Sequence, residues 1–376
     1  AGLLTGRYQN RFGVESNGQD LSGFDAELTI AERLQEVGYT TCQVGKWHLG
    51  PGTRIGEHGF GYFYNKNRNA PGPANFDRDG NKKPVGNLPH TSYHIDDCSD
   101  MARAFIRKHK EAPFFLYLAY RAPHVPLDAP KKYLDRFPGE MPERRRQALA
   151  MISAMDDGVG AIVAELKELG LTEKTLIFYI GDNGAPLKIH KLDAPGGGPG
   201  WDGSLNEPLN GEKGMLTEGG IRVPFVACWP GTIPAGQVYK QPIIALDATA
   251  TALHLAGLTD VSGLDGVDLI PYLSGAQAGE PHDALYWRWV GQAAVRQGDW
   301  KFLRGYGRAY LFNLAEDKEE KRNRLSDHPE IAGRLGALLD RWEAGLPDPA
   351  KSKLSGAGSK FFDWYLDGKR DANPPV

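Results

Sequence analysis

The sequence of 376 residues contains only three cysteines, Cys42, Cys98 and Cys228, and they lie far apart. Their odd number and wide spacing do not match a disulfide framework. No Cys-x-x-Cys pair is present, so the cysteines indicate neither a zinc site nor a redox motif. We predict that each one is a small buried hydrophobic residue.

The sequence also lacks a long apolar run and a strong charge of either sign. No stretch approaches about eighteen consecutive apolar residues, so we expect no membrane span. The net charge is −3 and no basic stripe occurs, which argues against a nucleic-acid partner. The 47 glycines and 26 prolines, together with 10% aromatic residues, favour long ordered loops in a globular protein.

No initiating Met and no signal peptide precede the segment Ala1–Arg7, which already has the character of a structured element. We therefore expect that the sequence begins inside a domain and lacks an N-terminal segment. On that expectation, the missing targeting signals carry no information about the compartment.

Strands and helices alternate along most of the sequence. Apolar periodicity predicts helices at residues 26–37, 96–109, 142–169 and 247–256, and strands at 39–44, 114–119, 175–180 and 223–229. This order is typical of an α/β fold with a mostly parallel central sheet flanked by helices.

The pattern changes near residues 274–281. Beyond them, short strands are predicted at 284–289, 293–296, 300–303 and 310–313, followed by a helix at 329–344. We predict two units: an α/β domain at residues 1–276, and a small α+β subdomain with antiparallel strands at 277–376.

Ionisable side chains follow the predicted strand ends, where ligands gather in open α/β sheets. The candidates are Lys46, His48, His124, Asp182 and Asn183, with Lys213 in a further cluster that precedes a strand. Lysines and histidines that converge on one pocket can hold an anion and move a proton. Each residue taken alone also fits a structural role, as a solvated lysine or a core histidine.

Asp182 and Asn183 stand side by side between two glycines. Their oxygens suit Ca²⁺ or Mg²⁺ rather than a soft metal. Asp-Asn-Gly is also a common turn sequence, so the metal interpretation depends on the other clusters. The second acidic pair, Asp156 and Asp157, falls within a long helix where adjacent side chains diverge, so we do not expect it to bind a metal.

Four segments together, in order and spacing, resemble the type I sulfatases, which depend on formylglycine and belong to the alkaline-phosphatase-like superfamily. They are Gly45-Lys46-Trp47-His48-Leu49-Gly50, the strand leading to His124, Gly181-Asp182-Asn183-Gly184, and residues 211–224. The resemblance covers essentially the whole sequence. Residues 1–7 resemble the continuation of the family signature, Cys-x-Pro-Ser-Arg followed by a helix.

The resemblance implies hydrolysis of a sulfate ester. In this scheme Asp182 and Asn183 hold Ca²⁺ (or Mg²⁺), and Lys46 and Lys213 neutralise the sulfate oxygens. His124, alone or together with Lys213, protonates the departing alcohol, a contribution of roughly 10²–10⁴-fold in rate. His48 then removes a proton from the sulfated formylglycine, which expels sulfate.

The sequence departs from the family at its start. The cysteine that becomes formylglycine, its arginine and an upstream acidic pair are all absent from the 376 residues. The resemblance therefore implies that the chain as written is inactive. The intact protein would need a formylglycine-generating or equivalent maturation enzyme.

The resemblance also places a loop over residues 187–210, between the metal residues and Lys213, where it would line the entrance for a small-molecule or glycan sulfate. Candidate substrate-binding residues are His190, Trp201, Asp202 and Arg222, and Trp201 suits stacking on a sugar. Family analogy suggests the periplasm or the outside of the cell. Two alternatives stay open: a phosphomonoester or phosphonate-ester hydrolase of the same superfamily, and a non-catalytic relative that binds calcium or glycans.

Overall fold

The largest sheet has five strands in the order β4-β3-β2-β1-β5. The computed structural model describes residues 1–187, 203–258, 261–349 and 355–369. The strands of the α/β part are β1 (Thr40–Gly45), β2 (Tyr62–Asn65), β3 (Gly72–Phe76), β4 (Lys82–Leu88), β5 (Phe114–Ala119), β6 (Ile177–Ile180) and β7 (Phe225–Cys228). Those of the C-terminal part are β8 (Leu285–Trp289), β9 (Gln292–Gln297), β10 (Trp300–Gly305) and β11 (Arg308–Asn313).

The helices lie between and around these strands. They are α1 (Gly2–Thr5), α2 (Ser22–Asp25), α3 (Ile30–Glu36), α4 (His94–His109), α5 (Lys131–Leu134), α6 (Glu143–Glu168), α7 (Glu218–Ile221), α8 (Leu246–Leu255), α9 (Ile270–Leu273), α10 (Pro329–Glu343) and α11 (Ser355–Phe361). Short 3₁₀ helices span Gln9–Phe12, Gly52–His58 and Thr172–Lys174, and a π-helix spans Phe362–Leu366.

The predicted α/β class with a C-terminal antiparallel sheet is confirmed, and the central sheet is mixed. Strand β1 pairs in parallel with both β2 and β5, whereas β2–β3 and β3–β4 are antiparallel. Strands β6 and β7 form an antiparallel two-stranded ladder. Strands β8 to β11 form the antiparallel sheet of the C-terminal part. The predicted division after residue 276 stays a prediction.

Local signals explain the helix boundaries. The observed helix α3 is shorter than the helix predicted at 26–37, because Thr29 and Glu32 form a capping box that begins α3 at Ile30. The backbone N–H of Glu32 donates to Thr29 Oγ1 over 3.2 Å, and the N–H of Thr29 donates to Glu32 Oε2 over 2.8 Å. Helix α6 begins and ends within one residue of its predicted bounds, because its periodic pattern of apolar residues continues over many turns.

The core beneath the five-stranded sheet is formed by β1 and helix α4. Val44 and Tyr64 from the sheet pack with Met101 and Phe105 from α4, and all four are almost completely buried. Burial of such side chains stabilises a fold by about 1.5–3 kcal/mol each. The core therefore packs β1 and β2 against α4.

The cysteine prediction is correct at two positions and wrong at the third. Cys42 and Cys98 are buried and unpaired, whereas Cys228 is exposed. Burial alternates along β7, and Cys228 occupies one of its two exposed positions. Its side chain therefore lies on the uncovered face of the two-stranded ladder.

In the part of the chain that the structure describes, no helix is both long and apolar enough to cross a membrane.

Candidate active site

Lys46 and His48 follow the carboxyl end of β1. The backbone N–H of Lys46 donates to the carbonyl of Ala119 over 2.7 Å, which extends the β1–β5 ladder by one residue. Gly45 has φ 102°, and a Cβ there would lie 2.2 Å from the oxygen of Ala119, so only glycine fits this approach. Trp47 is buried against Phe60 and His58. Lys46 and His48 therefore flank an anchored ring.

His124 follows the neighbouring parallel strand, β5. Its backbone N–H donates to the carbonyl of Arg121 over 3.0 Å, and its ring Nδ1 lies 2.7 Å from the carbonyl oxygen of Val125. The guanidinium of Arg121 donates to that same oxygen and, over 3.2 Å, to the carbonyl of Asn67. The sequence motif singled out His124 but not Arg121.

Asp182 and Asn183 follow β6, which pairs with β7. Their turn is held by two backbone bonds of 2.9 Å, from Gly181 to Pro224 and from Gly184 to Gly220. A Cβ on Gly184 would lie 1.8 Å from the oxygen of Gly219, so glycine is required. The side-chain nitrogen of Asn183 donates to the carbonyl of Gly184 over 2.9 Å. Its oxygen is thereby left as the atom suited to a cation.

Lys213 is joined to the Asp182 turn through Ala185. The backbone N–H of Lys213 donates to the carbonyl of Ala185 over 3.2 Å. Asn206 links the two segments, because it accepts from the N–H of Ala185 over 2.7 Å and donates to the carbonyls of Ala185 and Gly211. Asn206 was not predicted, because its role depends on tertiary contacts that no local pattern indicates.

The charges of these four segments act on one another. Burial lowers the pKa of Lys46. The charges of Lys213 and Arg121 lower it further, whereas the charge of Asp182 raises it. Burial also lowers the pKa of His48, with further lowering by Lys46 and Lys213. The structure thus brings the ends of β1 and β6 and the Lys213 segment within electrostatic range of one another.

Burial and nearby cations act on His124 as they do on His48. Burial lowers the pKa of His124, the hydrogen bond to Val125 raises it, and Lys213, Lys46 and Arg121 lower it. Asp182 acts on Tyr117 of β5 as well: burial and the Asp182 carboxylate raise the pKa of Tyr117 to about 12. The cations of Lys46, Lys213 and Arg121 therefore lie near the two imidazoles, and the carboxylate of Asp182 acts on Lys46. An excess of positive charge of this kind suits an anionic ligand.

Asp182 and Asn183 have the donor chemistry of a hard-cation site. Carboxylate and carboxamide oxygens are ligands that Ca²⁺ and Mg²⁺ prefer. Within the described ranges, no group of three or more His, Cys, Asp or Glu side chains is arranged to hold a metal ion. Because Ca²⁺ takes roughly six to eight oxygens, these two residues fit as part of a coordination sphere.

The remaining predicted residues are placed differently. Arg222 is half exposed and pairs with Glu218, with 3.4 Å between Nη1 and Oε2. Its assignment to substrate binding stays a prediction. His190, Trp201 and Asp202 lie outside the described residues.

Comparison with known proteins adds a family relationship. The family model Sulfatase matches residues 1–258, and the model of the C-terminal region of N-sulphoglucosamine sulphohydrolase matches residues 211–339. The chain is 33% identical to N-acetylgalactosamine-6-sulfatase of Canis lupus familiaris over 80% of the chain and 61% of that protein. It is 32% identical to the uncharacterized sulfatase YdeN of Escherichia coli (strain K12), over 76% of the chain and 54% of that protein.

A solved structure supports the same relationship. The crystal structure of Ps i-CgsB in complex with k-i-k-neocarrahexaose superposes with a TM-score of 0.79 and 29% sequence identity. The match covers 96% of this chain and 85% of that one. Against the two curated relatives, by contrast, the chain spans 54% and 61% of their length.

Proposed function

Because the chain belongs to the sulfatase family, we propose that its site hydrolyses a sulfate ester of a carbohydrate, with a formylglycine nucleophile and a divalent cation. The observation that carries the proposal is that Lys46 and Lys213 lie within electrostatic range of both His48 and His124, with Arg121 beside His124. A group of cations beside imidazoles matches a reaction in which an anion is held while a proton moves.

The lysines bind the substrate in this proposal. Lys46 and Lys213 neutralise the sulfate oxygens as charge moves toward the departing group. The lowered pKa of Lys46 reflects burial and the nearby charges of Lys213 and Arg121, and a bound anion would offset those charges. Ca²⁺ or Mg²⁺, when held by Asp182 and Asn183 with further ligands, supplies Lewis-acid polarisation of the sulfate.

The histidines move protons. The bond from Nδ1 of His124 to the Val125 carbonyl leaves Nε2 as the ring nitrogen that delivers a proton to the leaving oxygen. Anion binding offsets the cations that lower the pKa of His124, so substrate itself favours the protonated acid. His48 removes a proton when the sulfate group is released.

A carbohydrate substrate is supported by the relatives. One is named for N-acetylgalactosamine-6-sulfate, and one structure holds a neocarrahexaose. The Cys- or Ser-x-Pro-Ser-Arg motif that supplies the nucleophile does not occur in the 376 residues, so the catalytic test requires a protein that contains this motif and has been matured. We further propose that the protein acts in the periplasm or outside the cell.

The experiment measures hydrolysis of 4-nitrophenyl sulfate and 4-nitrophenyl phosphate side by side by that matured protein. We expect cleavage of the sulfate. Cleavage of phosphate alone would favour the phosphomonoester alternative, and cleavage of neither, with glycan binding retained, would favour the non-catalytic one.

A leaving-group series tests the acid. His124→Asn should reduce hydrolysis of an alkyl sulfate by roughly 10²–10⁴-fold, and that of 4-nitrophenyl sulfate by much less, because a good leaving group needs no proton. His254→Asn, at an exposed position of α8, is the matched control. An equal loss of hydrolysis rate on both substrates would show that His124 is not the acid that protonates the leaving oxygen.

A further inference from the structure

The segment that carries Lys213, residues 211–217, is attached to the C-terminal sheet by Gln292. Gln292 is the first residue of β9 and is only 2% exposed. Its side-chain nitrogen donates to the carbonyl of Gly214 over 2.9 Å, and its oxygen accepts from the N–H of Leu216 over 3.2 Å. One buried amide therefore satisfies two backbone groups of the segment, immediately after Lys213.

A second attachment precedes Lys213. The hydroxyl of Tyr365, in the π-helix, donates to Oε1 of the buried Glu212 over 2.6 Å. The side chain of Asn210 donates to the carbonyl of Tyr365 over 2.9 Å. Lys213 is thus bracketed by contacts to two different parts of the C-terminal region.

The apolar side chains of the segment share the core of that region. Met215 and Leu216 pack in one buried cluster with Leu303, Phe312 and Phe362. Immediately beyond, Glu218 of α7 pairs with Lys301 of β10 at 2.9 Å. The segment is therefore packed against the C-terminal sheet as well as bonded to Ala185 and Asn206.

The segment has little stiffness of its own. Gly211 has φ 87° and Gly214 has φ 92°, so flexible residues stand on both sides of Glu212 and Lys213. The lysine side chain adds a flexible four-carbon stem. The hydrogen bonds that fix the backbone consequently set the point from which the lysine side chain reaches out, and among them the two from Gln292 lie nearest on the C-terminal side.

We propose that Gln292 is a positioning residue that holds the ammonium group of Lys213 in the anion pocket, so that the C-terminal sheet completes the site of the α/β domain. The inference rests on the proposed function only in taking Lys213 as an anion-binding group. A displacement of about 1 Å at such a group costs on the order of 10²-fold when it acts in catalysis, and less when it only binds.

The test measures binding of inorganic sulfate to the 376-residue chain, in the presence of Ca²⁺, by isothermal titration calorimetry. Four proteins are compared: wild type, Lys213→Met, Gln292→Met and the double variant. We expect each single change to weaken binding by about tenfold, and the double variant to bind within about twofold of Lys213→Met, because both changes remove the same interaction.

Gln297→Met is the matched control, since Gln297 ends the same strand and bonds to Arg334 instead. Its sulfate affinity should equal that of wild type. Gln292→Glu, which keeps an acceptor for the N–H of Leu216 and loses the donor to Gly214, is the second variant. If Gln292→Met does not fold, Gln292→Glu takes its place in the test. We expect Gln292→Glu to bind sulfate less tightly than wild type.

The outcomes separate the two proposals. Binding that depends on Lys213, but is equal to wild type in the Gln292 variants, refutes the positioning role alone. If the losses of sulfate affinity from Gln292→Met and Lys213→Met multiply in the double variant, that result also refutes the positioning role, because it would indicate that Gln292→Met distorts the protein in general. A wild-type chain that binds no sulfate refutes the anion pocket, and the positioning role with it.

Discussion

Nδ1 of His124 lies 2.7 Å from the carbonyl oxygen of Val125. A carbonyl oxygen can only accept, so Nδ1 carries a proton and Nε2 is the nitrogen that titrates. The guanidinium of Arg121 bonds to the same oxygen. The orientation of the imidazole is therefore set by the backbone that follows β5, and its pKa by burial and the cations around it.

The pKa of His124 should rise when Lys213 becomes methionine. Burial is the largest cause of the lowered pKa and remains, but the Lys213 charge that adds to it is removed. Below its pKa the ring is positive, so loss of a neighbouring positive charge makes that form more stable and moves the titration to higher pH. A proton NMR titration of the His124 ring measures the shift. Lys174→Met, at an exposed position, should leave it unchanged, and an unchanged pKa in Lys213→Met would separate Lys213 from His124.

Calcium should stabilise the chain through Asp182. A ligand present at one hundred times its Kd raises the free energy of unfolding by about 2.7 kcal/mol, which is visible as a higher Tm. Asp182→Ala should abolish this rise. Asp156→Ala is the control, since Asp156 belongs to the exposed acidic pair of α6. A calcium-dependent Tm that survives Asp182→Ala but not Asp156→Ala would place the cation elsewhere.

Acid should destabilise the protein through Asp97 of α4. Burial alone raises the pKa of Asp97, but hydrogen bonds from Ser92, Arg78 and Thr91 outweigh burial and lower it to about 2. A carboxyl with a lowered pKa contributes stability above its ordinary pKa near 3.8 and loses it as pH falls toward 2.

The contribution of Asp97 amounts to about 2 kcal/mol. Urea unfolding at several pH values should show a shallower loss between pH 4 and 2 in Asp97→Asn than in wild type. Asp100→Asn, on the exposed face of the same helix, should follow the wild-type curve. Parallel curves for Asp97→Asn and wild type would contradict the assignment.

Loss of Lys301 should unfold the junction between the two parts of the chain. Lys301 is fully buried, and its ammonium lies 2.9 Å from both Glu218 and Glu320. Lys301→Met removes the ammonium from between two buried carboxylates, of which Glu218 keeps its pairing with Arg222. Breaking a buried pair in this way costs about 3–5 kcal/mol in the free energy of unfolding. Burial already raises the pKa of Glu320 to about 7. The loss should therefore be smaller at pH 5, where a proton can replace the lysine charge.

Lys321→Met is the surface counterpart, since Lys321 pairs with Glu319 in solvent. It should change the free energy of unfolding by no more than about 1 kcal/mol. Urea denaturation at pH 5 and pH 8 measures both variants. Similar losses for Lys301→Met and Lys321→Met would show that the buried ion pairs do not stabilise the junction.

Part of this molecule follows from local pattern. Strand β5 has the bounds predicted for it, because an unbroken apolar run between turn residues favours a strand of that length. Strands β2 to β4 were not predicted, although Tyr62, Phe63 and Tyr64 are typical strand residues. Their pairing depends on a register between segments, and Cys228 is exposed for the same kind of reason, since a face is covered or open only after neighbouring strands are in place.

The amino-acid sequence by itself determined which ionisable residues stand at strand ends, since strand, turn and glycine signals act over a few neighbours. Only the tertiary structure decided that Arg121 bonds to the carbonyl of Asn67, and that the Lys213 segment is attached to the C-terminal sheet. Gln292 and Gly214 are 78 residues apart, and Tyr365 and Glu212 are 153 apart. Contacts over such separations form when distant surfaces pack together, and no local preference encodes them.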